Sequence, residues 1–104
     1  MNTKILSKNN HKSISKKSLE KTVNFEFYAP FANEVGLAGE FNSWNPSTNA
    51  LKKEANGQWK TSLKLNPGRY EYRFLVDGNW ENDPKSVEYI PNAFGTWNCV
   101  IEIR

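Results

Sequence analysis

The sequence predicts an all-β domain, either a sandwich or a barrel. Turn-forming pairs containing Pro or Gly interrupt residues 22–104 at short intervals, from Ala29–Pro30 to Phe94–Gly95. Between these turns apolar residues alternate with polar ones, which is the period of a strand with one buried face. No window of helical length shows a clean 3.6-residue period. A chain of 104 residues is long enough for one domain with one modest core.

Residues 1–21 are basic and differ in composition from the rest of the chain. They hold six lysines and one acid, Glu20, for a net charge of +5. Ser, Asn and Lys dominate this segment, and its apolar surface is too small to offset the entropy of ordering, so we predict a disordered tail. An arm that binds nucleic acid or an anionic surface is the alternative. Residues 22–104 carry eight Lys/Arg and ten Asp/Glu, for a net charge of −2.

Four strands follow from the alternation of apolar and polar residues. Their apolar faces are, in chain order, Val23, Phe25 and Phe27; Trp59, Thr61, Leu63 and Leu65, after the Asn56–Gly57 turn; Tyr70, Tyr72, Phe74 and Val76; and Trp97, Cys99, Ile101 and Ile103. The opposite face of the third of these strands consists of Arg69, Glu71, Arg73 and Leu75. We predict a further strand over residues 31–38, ending at Gly39.

The pair Asp77–Gly78 predicts a tight hairpin, because both central positions of a type I′ turn need a positive φ. Trp80 then lies on or beside the return strand, which Asp83–Pro84 ends. Residues 81–93 are the longest segment without a clear pattern. We interpret them as a loop, and loops of this length in compact domains are often functional.

Composition excludes several classes of protein. No apolar run approaches the roughly 20 residues of a membrane-spanning helix, and the amino terminus lacks the apolar region of about 7–15 residues of a secretory signal. The one cysteine, Cys99, excludes an internal disulfide and a cysteine-based zinc site. We expect a cytoplasmic protein that has no membrane partner and needs no metal or other cofactor.

The chain has four tryptophans. Trp59 and Trp97 lie on the apolar faces of strands, so we predict that both fill the core. Trp44 and Trp80 lie among turn formers and amides, in FNSWNPS and DGNWEND, so we predict that their rings are only partly covered. An exposed indole can stack on the C–H face of a glucose ring, while Asn, Thr or Arg side chains bond the sugar hydroxyls.

The same exposed rings could instead stack on the bases of single-stranded nucleic acid. That ligand requires a positively charged groove beside the rings, whereas residues 22–104 have a net charge of −2. Charge therefore favours a sugar.

Four motifs, in order, resemble those of carbohydrate-binding module family 48. They are the G-x-F-N-x-W loop in LAGEFNSWNP, the P-G-x-Y-x-Y-R-F strand, the V-D-G-x-W hairpin with its D-P, and the G-T-x-N strand start in NAFGTWNCVIEI. The family includes the glycogen-binding domain of the AMP-activated protein kinase β subunit and the early-set N-terminal domains of isoamylase and branching enzymes. The resemblance covers residues 22–104 and implies an immunoglobulin-like, early-set β-sandwich that binds α-1,4-glucan.

The resemblance also implies which aromatic residues bind the sugar. Trp44 and Trp80 match the two family tryptophans that stack on consecutive glucose units. Phe94 stands where the family has a leucine in the loop that reaches along the sugar. A larger ring at this position could add a third stacking surface.

Three polar residues complete the site that the resemblance implies. Arg73 stands where kinase-type modules have a lysine that bonds sugar hydroxyls, and a guanidinium can do the same with more donors. Thr96 and Asn98 match the hydroxyl and the amide that bond the glucan. Alternation agrees for Arg73, because it lies opposite the apolar face of its strand. Trp97 is then interpreted as structural.

The sequence shows no catalytic arrangement. Glycoside hydrolysis needs two carboxylates across a cleft, but Asp77 and Asp83 are explained by turns, and Glu81 and Glu88 flank a loop. The only histidine, His11, lies in the tail. We therefore expect a stand-alone module that binds glucan without catalysis and works with a glycogen-metabolising enzyme. The alternatives are an early-set protein–protein interaction module and, less favoured, a single-stranded nucleic-acid binder.

Overall fold

The computed structural model of the protein describes residues 19–104. The tail predicted over residues 1–21 therefore falls almost wholly outside the described residues, and the first strand begins at Lys21. The strands are, in chain order, β1 (Lys21–Tyr28), β2 (Val35–Gly39), β3 (Lys52–Lys53), β4 (Gln58–Leu65), β5 (Gly68–Val76), β6 (Asn79–Glu81), β7 (Glu88–Pro91) and β8 (Trp97–Ile103). A short 3-10 helix, Glu40–Asn42, follows β2.

The strands form two antiparallel sheets. The smaller sheet has the order β1–β4–β3, and the larger has the order β2–β5–β8–β7, with β6 also paired to β5. On one side β5 pairs with β2. On the other side it pairs with β8 as far as Tyr72 and with β6 from Phe74 onwards. The predicted all-β, immunoglobulin-like sandwich is confirmed.

The core lies between the two sheets and is rich in aromatic residues. Phe74 is fully buried, and Phe25 and Tyr72 are each 3% exposed. The rings of Phe25 and Tyr72 meet edge to face, with 5.3 Å between their centroids, an arrangement that aromatic pairs favour. Trp59 is also buried, and its indole N–H donates to the carbonyl oxygen of Ala29 at 2.8 Å. The predicted core position of Trp59 is confirmed.

Trp97 is not a core residue, so that prediction is wrong. The residue is 51% exposed. β5 and β8 are paired only as far as Tyr72 and Cys99, after which β5 continues beside β6. Trp97 therefore lies beyond the end of this ladder and, within residues 19–104, is paired with Pro91 of β7.

The strand predicted over residues 31–38 starts later than its sequence indicates. β2 begins at Val35. The amides of Asn33 and Glu34 donate to the carboxylate of Asp77 at 2.9 and 2.8 Å, so they are not available to a neighbouring strand. A side chain from the β5–β6 turn thus sets the start of β2.

The segment over residues 81–93, interpreted from the sequence as a loop, contains the strand β7. β7 lies at the edge of the larger sheet and pairs with β8. Glu88, Tyr89 and Pro91 are exposed and Ile90 is half-buried, so the strand lacks the alternation of one with a buried face. The strand ends at Pro91, which has no amide hydrogen for a ladder.

Asp83 fixes the segment after β6 to the core. It is 8% exposed, and its carboxylate accepts hydrogen bonds from the Tyr72 hydroxyl at 2.8 Å and the Lys85 amide at 2.9 Å. Its own amide donates to the Cys99 sulfur at 3.1 Å. Burial, and then the hydrogen bond to Asp83, raise the pKa of Tyr72 far above its ordinary value. Burial likewise raises the pKa of the Cys99 thiol.

Replacing Trp59 with Ala should remove a large part of the core packing. We expect the free energy of unfolding, measured with urea, to fall by about 3 kcal/mol, the usual cost of truncating a buried aromatic side chain. Trp97→Ala is the matched control, because it removes the same side chain from a half-exposed position, and it should cost less than about 1 kcal/mol. Equal losses in the two variants would contradict the positions assigned to both residues.

The burial of Tyr72, together with its hydrogen bond to Asp83, should make stability depend on alkaline pH. Because the pKa of Tyr72 is raised in the folded protein, its stabilising contribution is complete below the ordinary tyrosine pKa of 10.0 and is lost as the pH rises above it. We expect the free energy of unfolding to fall above about pH 10 in urea titrations. In Tyr72→Phe the fall should be shallower, although this variant is less stable at neutral pH because Asp83 loses a buried partner. An unchanged slope would refute the role of Tyr72.

Candidate functional site

The outer face of the larger sheet carries an open groove of about 910 Å³. The structure brings all six residues of the predicted site to this groove: Trp44, Arg73, Trp80, Phe94, Thr96 and Asn98. Five further residues line it, namely Glu40, Glu71, Pro91, Asn92 and Ala93. The groove is therefore assembled from the turn after β2, from β5, β6 and β8, and from the end of β7 with the loop that follows it.

Strand alternation places the polar side of the groove. In β5, Glu71 and Arg73 flank the core residue Tyr72, so their side chains face outward. In β8, Asn98 precedes Cys99, which is paired with Tyr72, so Asn98 lies on the same outer face. Arg73 is thus outside the core, as the alternation predicts.

Trp44 reaches the groove from a tight turn that Asn42 holds. The Asn42 side chain accepts a hydrogen bond from the Gly39 amide at 3.0 Å and donates to Leu37 O and to Asn49 Oδ1, both at 2.8 Å. Trp44 has a φ of 60°, in the left-handed region that bulky residues seldom adopt. Backbone strain of this kind is typical of functional sites. It directs the half-buried indole of Trp44 towards the groove and away from the core.

Trp80 and Phe94 stand on hairpins. Asp77 and Gly78 have φ values of 47° and 83°, which confirms the predicted turn between β5 and β6. Trp80 follows this turn on β6, opposite Leu75, and is 45% exposed. Phe94 lies in the loop between β7 and β8 and is 91% exposed. The groove therefore has three aromatic residues that come from three separate turns.

Hydrogen bonds connect the polar side chains of the groove. Arg73 Nε donates to Asn82 Oδ1 at 2.7 Å, and Arg73 Nη1 donates to Thr96 Oγ1 at 3.3 Å. Because a guanidinium has more N–H groups than these two bonds use, Arg73 retains donors for a ligand. Asn98 is only 7% exposed and donates to Glu71 Oε1 at 3.0 Å. These polar groups are held in fixed orientations along one side of the groove.

Sequence patterns did not identify Glu40, Glu71 or Asn92 as residues of the groove. Glu71 could have been found, since it faces outward on β5 for the same reason as Arg73. Glu40 Oε1 accepts a hydrogen bond from the Glu71 amide at 2.9 Å, a contact across 31 residues that no local pattern reveals. Asn92 lies in the segment without a pattern. Two carboxylates and one guanidinium give the lining of the groove a net charge of −1, which disfavours the phosphates of nucleic acid.

Three of the four carboxylates considered for catalysis have other roles. Asp77 binds backbone amides, Asp83 is buried, and Glu88 forms an ion pair with Arg69 at 3.0 Å. Within residues 19–104, no group of three or more His, Cys, Asp or Glu residues could hold a metal ion. No helix in this described part of the chain is long and apolar enough to cross a membrane.

Residues 22–104 match a protein family described as "Glycogen recognition site of AMP-activated protein kinase". Among individual proteins, the chain is 49% identical over 53 residues to protein PTST homolog 2, chloroplastic, of Arabidopsis thaliana, covering 51% of this chain and 10% of that protein. It is 36% identical over 73 residues to 5'-AMP-activated protein kinase subunit beta-1 of Sus scrofa, covering 68% of this chain and 55% of the subunit.

A solved structure with a similar fold is that of the maltogenic amylase from S.marinus. The TM-score is 0.66 and the sequence identity 27%, over 82% of this chain and 14% of the amylase. The chain thus spans about a tenth of the PTST homologue and about half of the kinase subunit.

Replacing Asn42 with Ala should loosen the turn that carries Trp44. Because the variant loses three hydrogen bonds in a partly buried site, we expect the free energy of unfolding to fall by about 1–3 kcal/mol. Urea unfolding followed by circular dichroism measures the loss. Asn45→Ala is the control in the same turn, since Asn45 Oδ1 is exposed and, among the described residues, accepts one hydrogen bond, from the Ser47 amide at 2.9 Å. A loss in Asn45→Ala as large as in Asn42→Ala would count against this account.

Proposed function

The chain belongs to the family of AMP-activated protein kinase glycogen recognition sites, and on that premise we propose that its groove binds α-1,4-glucan such as glycogen, starch or maltooligosaccharide. The family is a recognition site and not a catalytic domain, so the function is binding without catalysis. One observation supports the groove as the site of binding. Trp44 and Trp80 open onto the same concave surface as Arg73, Thr96 and Asn98.

The chemistry of the groove suits a chain of glucose units. Each indole of Trp44 and Trp80 offers a flat apolar face to the C–H side of a pyranose ring. The guanidinium of Arg73 and the hydroxyl of Thr96 line the same groove and can bond the hydroxyl groups at the sugar's rim. Phe94 adds a third exposed ring to the lining. This combination of stacking faces and polar groups has a net charge of only −1, which suits an uncharged ligand.

The affinity of one groove for one short chain should be modest. An open groove leaves much of the ligand in contact with water, so we expect a dissociation constant between about 1 μM and 1 mM. A glucan polymer presents many equivalent segments. Rebinding along the polymer raises the effective affinity well above that for an oligosaccharide.

A glucan-binding module acts by bringing a partner protein to the polymer. Two of the similar proteins are a kinase subunit and an amylase, and this chain covers only part of each. A glycogen-metabolising enzyme is therefore the partner that fits the proposed function best. The module would raise the concentration of such an enzyme at the surface of its substrate.

Truncation of either groove tryptophan should weaken glucan binding strongly. We expect Trp80→Ala and Trp44→Ala each to lose about 2 kcal/mol, or roughly 30-fold in affinity, because each removes a stacking face. Calorimetric titration with maltoheptaose gives the affinities, and native gels cast with and without glycogen show whether migration is still retarded.

Trp97→Ala is the matched control for this experiment. Trp97 is the same residue type and is 51% exposed, but it does not line the groove. Its variant should bind maltoheptaose with the affinity of the unmodified chain. Equal weakening in all three variants, or full affinity in the Trp44 and Trp80 variants, would rule out the groove as the binding site.

A further inference from the structure

Asn92 connects the loop between β7 and β8 to the polar side of the groove. Its Oδ1 accepts hydrogen bonds from the amides of Phe94 at 3.0 Å and Thr96 at 3.1 Å. Its Nδ2 donates to Thr96 Oγ1 at 2.7 Å and to Asn98 Oδ1 at 3.0 Å. One half-buried side chain is therefore bonded to three residues that line the proposed binding groove.

These bonds determine how the Thr96 hydroxyl can act. Thr96 Oγ1 accepts from Asn92 Nδ2 at 2.7 Å and from Arg73 Nη1 at 3.3 Å, which uses both of its lone pairs. Its hydrogen is then left to be donated, either to Asn92 Oδ1 at 3.0 Å or to a ligand. Thr96 is thereby presented to a sugar as a donor.

Asn92 also fixes the orientation of the Asn98 amide. Asn98 Oδ1 accepts from Asn92 Nδ2, and Asn98 Nδ2 donates to Glu71 Oε1, both at 3.0 Å. The reversed amide would place two N–H₂ groups together and two oxygens together, so one orientation satisfies both bonds. Because Asn98 is only 7% exposed, the reversed amide would leave buried polar atoms without partners.

The loop that carries Phe94 depends on hydrogen bonds for its shape. The Phe94 ring is 91% exposed and so has little packing to hold it, and the next residue, Gly95, has a φ of 81°. Two hydrogen bonds hold the backbone of the loop. The Phe94 amide donates to Asn92 Oδ1, and the Asn92 amide donates to the carbonyl oxygen of Thr96 at 2.9 Å. Without the Asn92 side chain, the loop would have to be ordered at the moment of binding, at an entropic cost.

We propose that Asn92 is a positioning residue for glucan binding, which holds the Phe94 loop in its binding-competent shape and aligns Thr96 and Asn98. This inference rests on the proposed function of the groove. Asn92 acts on affinity through its neighbours, and chiefly through Phe94. Its own amide is fully occupied by hydrogen bonds within the protein.

A double-mutant cycle separates this role from a direct contact with sugar. Calorimetric titration with maltoheptaose compares the full chain with Asn92→Ala, Phe94→Ala and the double variant. We expect each single variant to bind about tenfold more weakly, and the double variant also to lose about tenfold, since Phe94 contributes only when its loop is held. The proposal is overturned if either single variant binds with the affinity of the full chain. It is also overturned if the double variant binds about a hundredfold more weakly, which is the product of the two single losses.

Amide hydrogen exchange without sugar provides a second readout. In Asn92→Ala the amides of Phe94 and Thr96 should exchange faster, whereas in Phe94→Ala the Thr96 amide should stay protected. If the unmodified chain fails to bind maltoheptaose, the proposed function falls and this inference falls with it. If the chain binds but exchange is unchanged in Asn92→Ala, only this inference is overturned.

Two further variants keep the test decisive. Asn92→Asp retains the acceptor for the Phe94 and Thr96 amides and loses the donor to Asn98. Both amides should therefore stay protected from hydrogen exchange. The affinity for maltoheptaose should lie between that of the full chain and that of Asn92→Ala. Lost protection in Asn92→Asp would contradict the acceptor role. Asn56→Ala is the matched control, because Asn56 Oδ1 accepts the Gln58 amide at 3.0 Å in a turn outside the groove. It should bind maltoheptaose with full affinity.

Discussion

The alternation of side chains along β5 is the constraint on which both the fold and the groove depend. Tyr72 and Phe74 of this strand pack into the core, while Glu71 and Arg73 line the groove on the opposite face. A slip of one residue would exchange the two sets, burying a guanidinium and exposing the core aromatics. The pairing of β5 with β2, β6 and β8 prevents that slip. Core and groove are therefore specified by the same register.

The aromatic residues of the groove come from turns, where the chain can leave the geometry of a strand. Trp44 has a positive φ itself, Trp80 follows the Asp77–Gly78 turn, and Phe94 precedes Gly95, which also has a positive φ. In two of these turns an Asn side chain accepts a backbone amide of the turn, and in the third Asp77 accepts the amides of Asn33 and Glu34 and so ties the turn to the segment before β2. Short polar residues thus stabilise backbone shapes that a large aromatic residue would not hold alone.

Local patterns predicted the strands that have one buried face, because burial on one side imposes a period of two. They failed where the outcome depends on distant partners. Trp97 is exposed because β5 changes partner from β8 to β6, and β7 went undetected because an edge strand here has no buried face. The turn-forming neighbours of Trp44 and Trp80 predicted that both rings are only partly covered. The other site residues were predicted from family motifs, and alternation supported Arg73 independently. The contact between Glu40 and Glu71 could not be read from either source.

Residues 80–83, at the end of β6 and just after it, connect the groove to the core. Trp80 is followed closely by Asn82, which holds Arg73, and by Asp83, which holds the core residue Tyr72. Both bonds are already formed without a ligand, so under the proposed function the freedom lost on binding would come mainly from the glycosidic torsions of the sugar. A glucan segment whose curvature is already restrained within a large particle has less of that freedom to lose than a short chain in solution. Under the proposed function, the groove would therefore bind the restrained segment at a smaller entropic cost, even though the glucose units of the two are chemically identical.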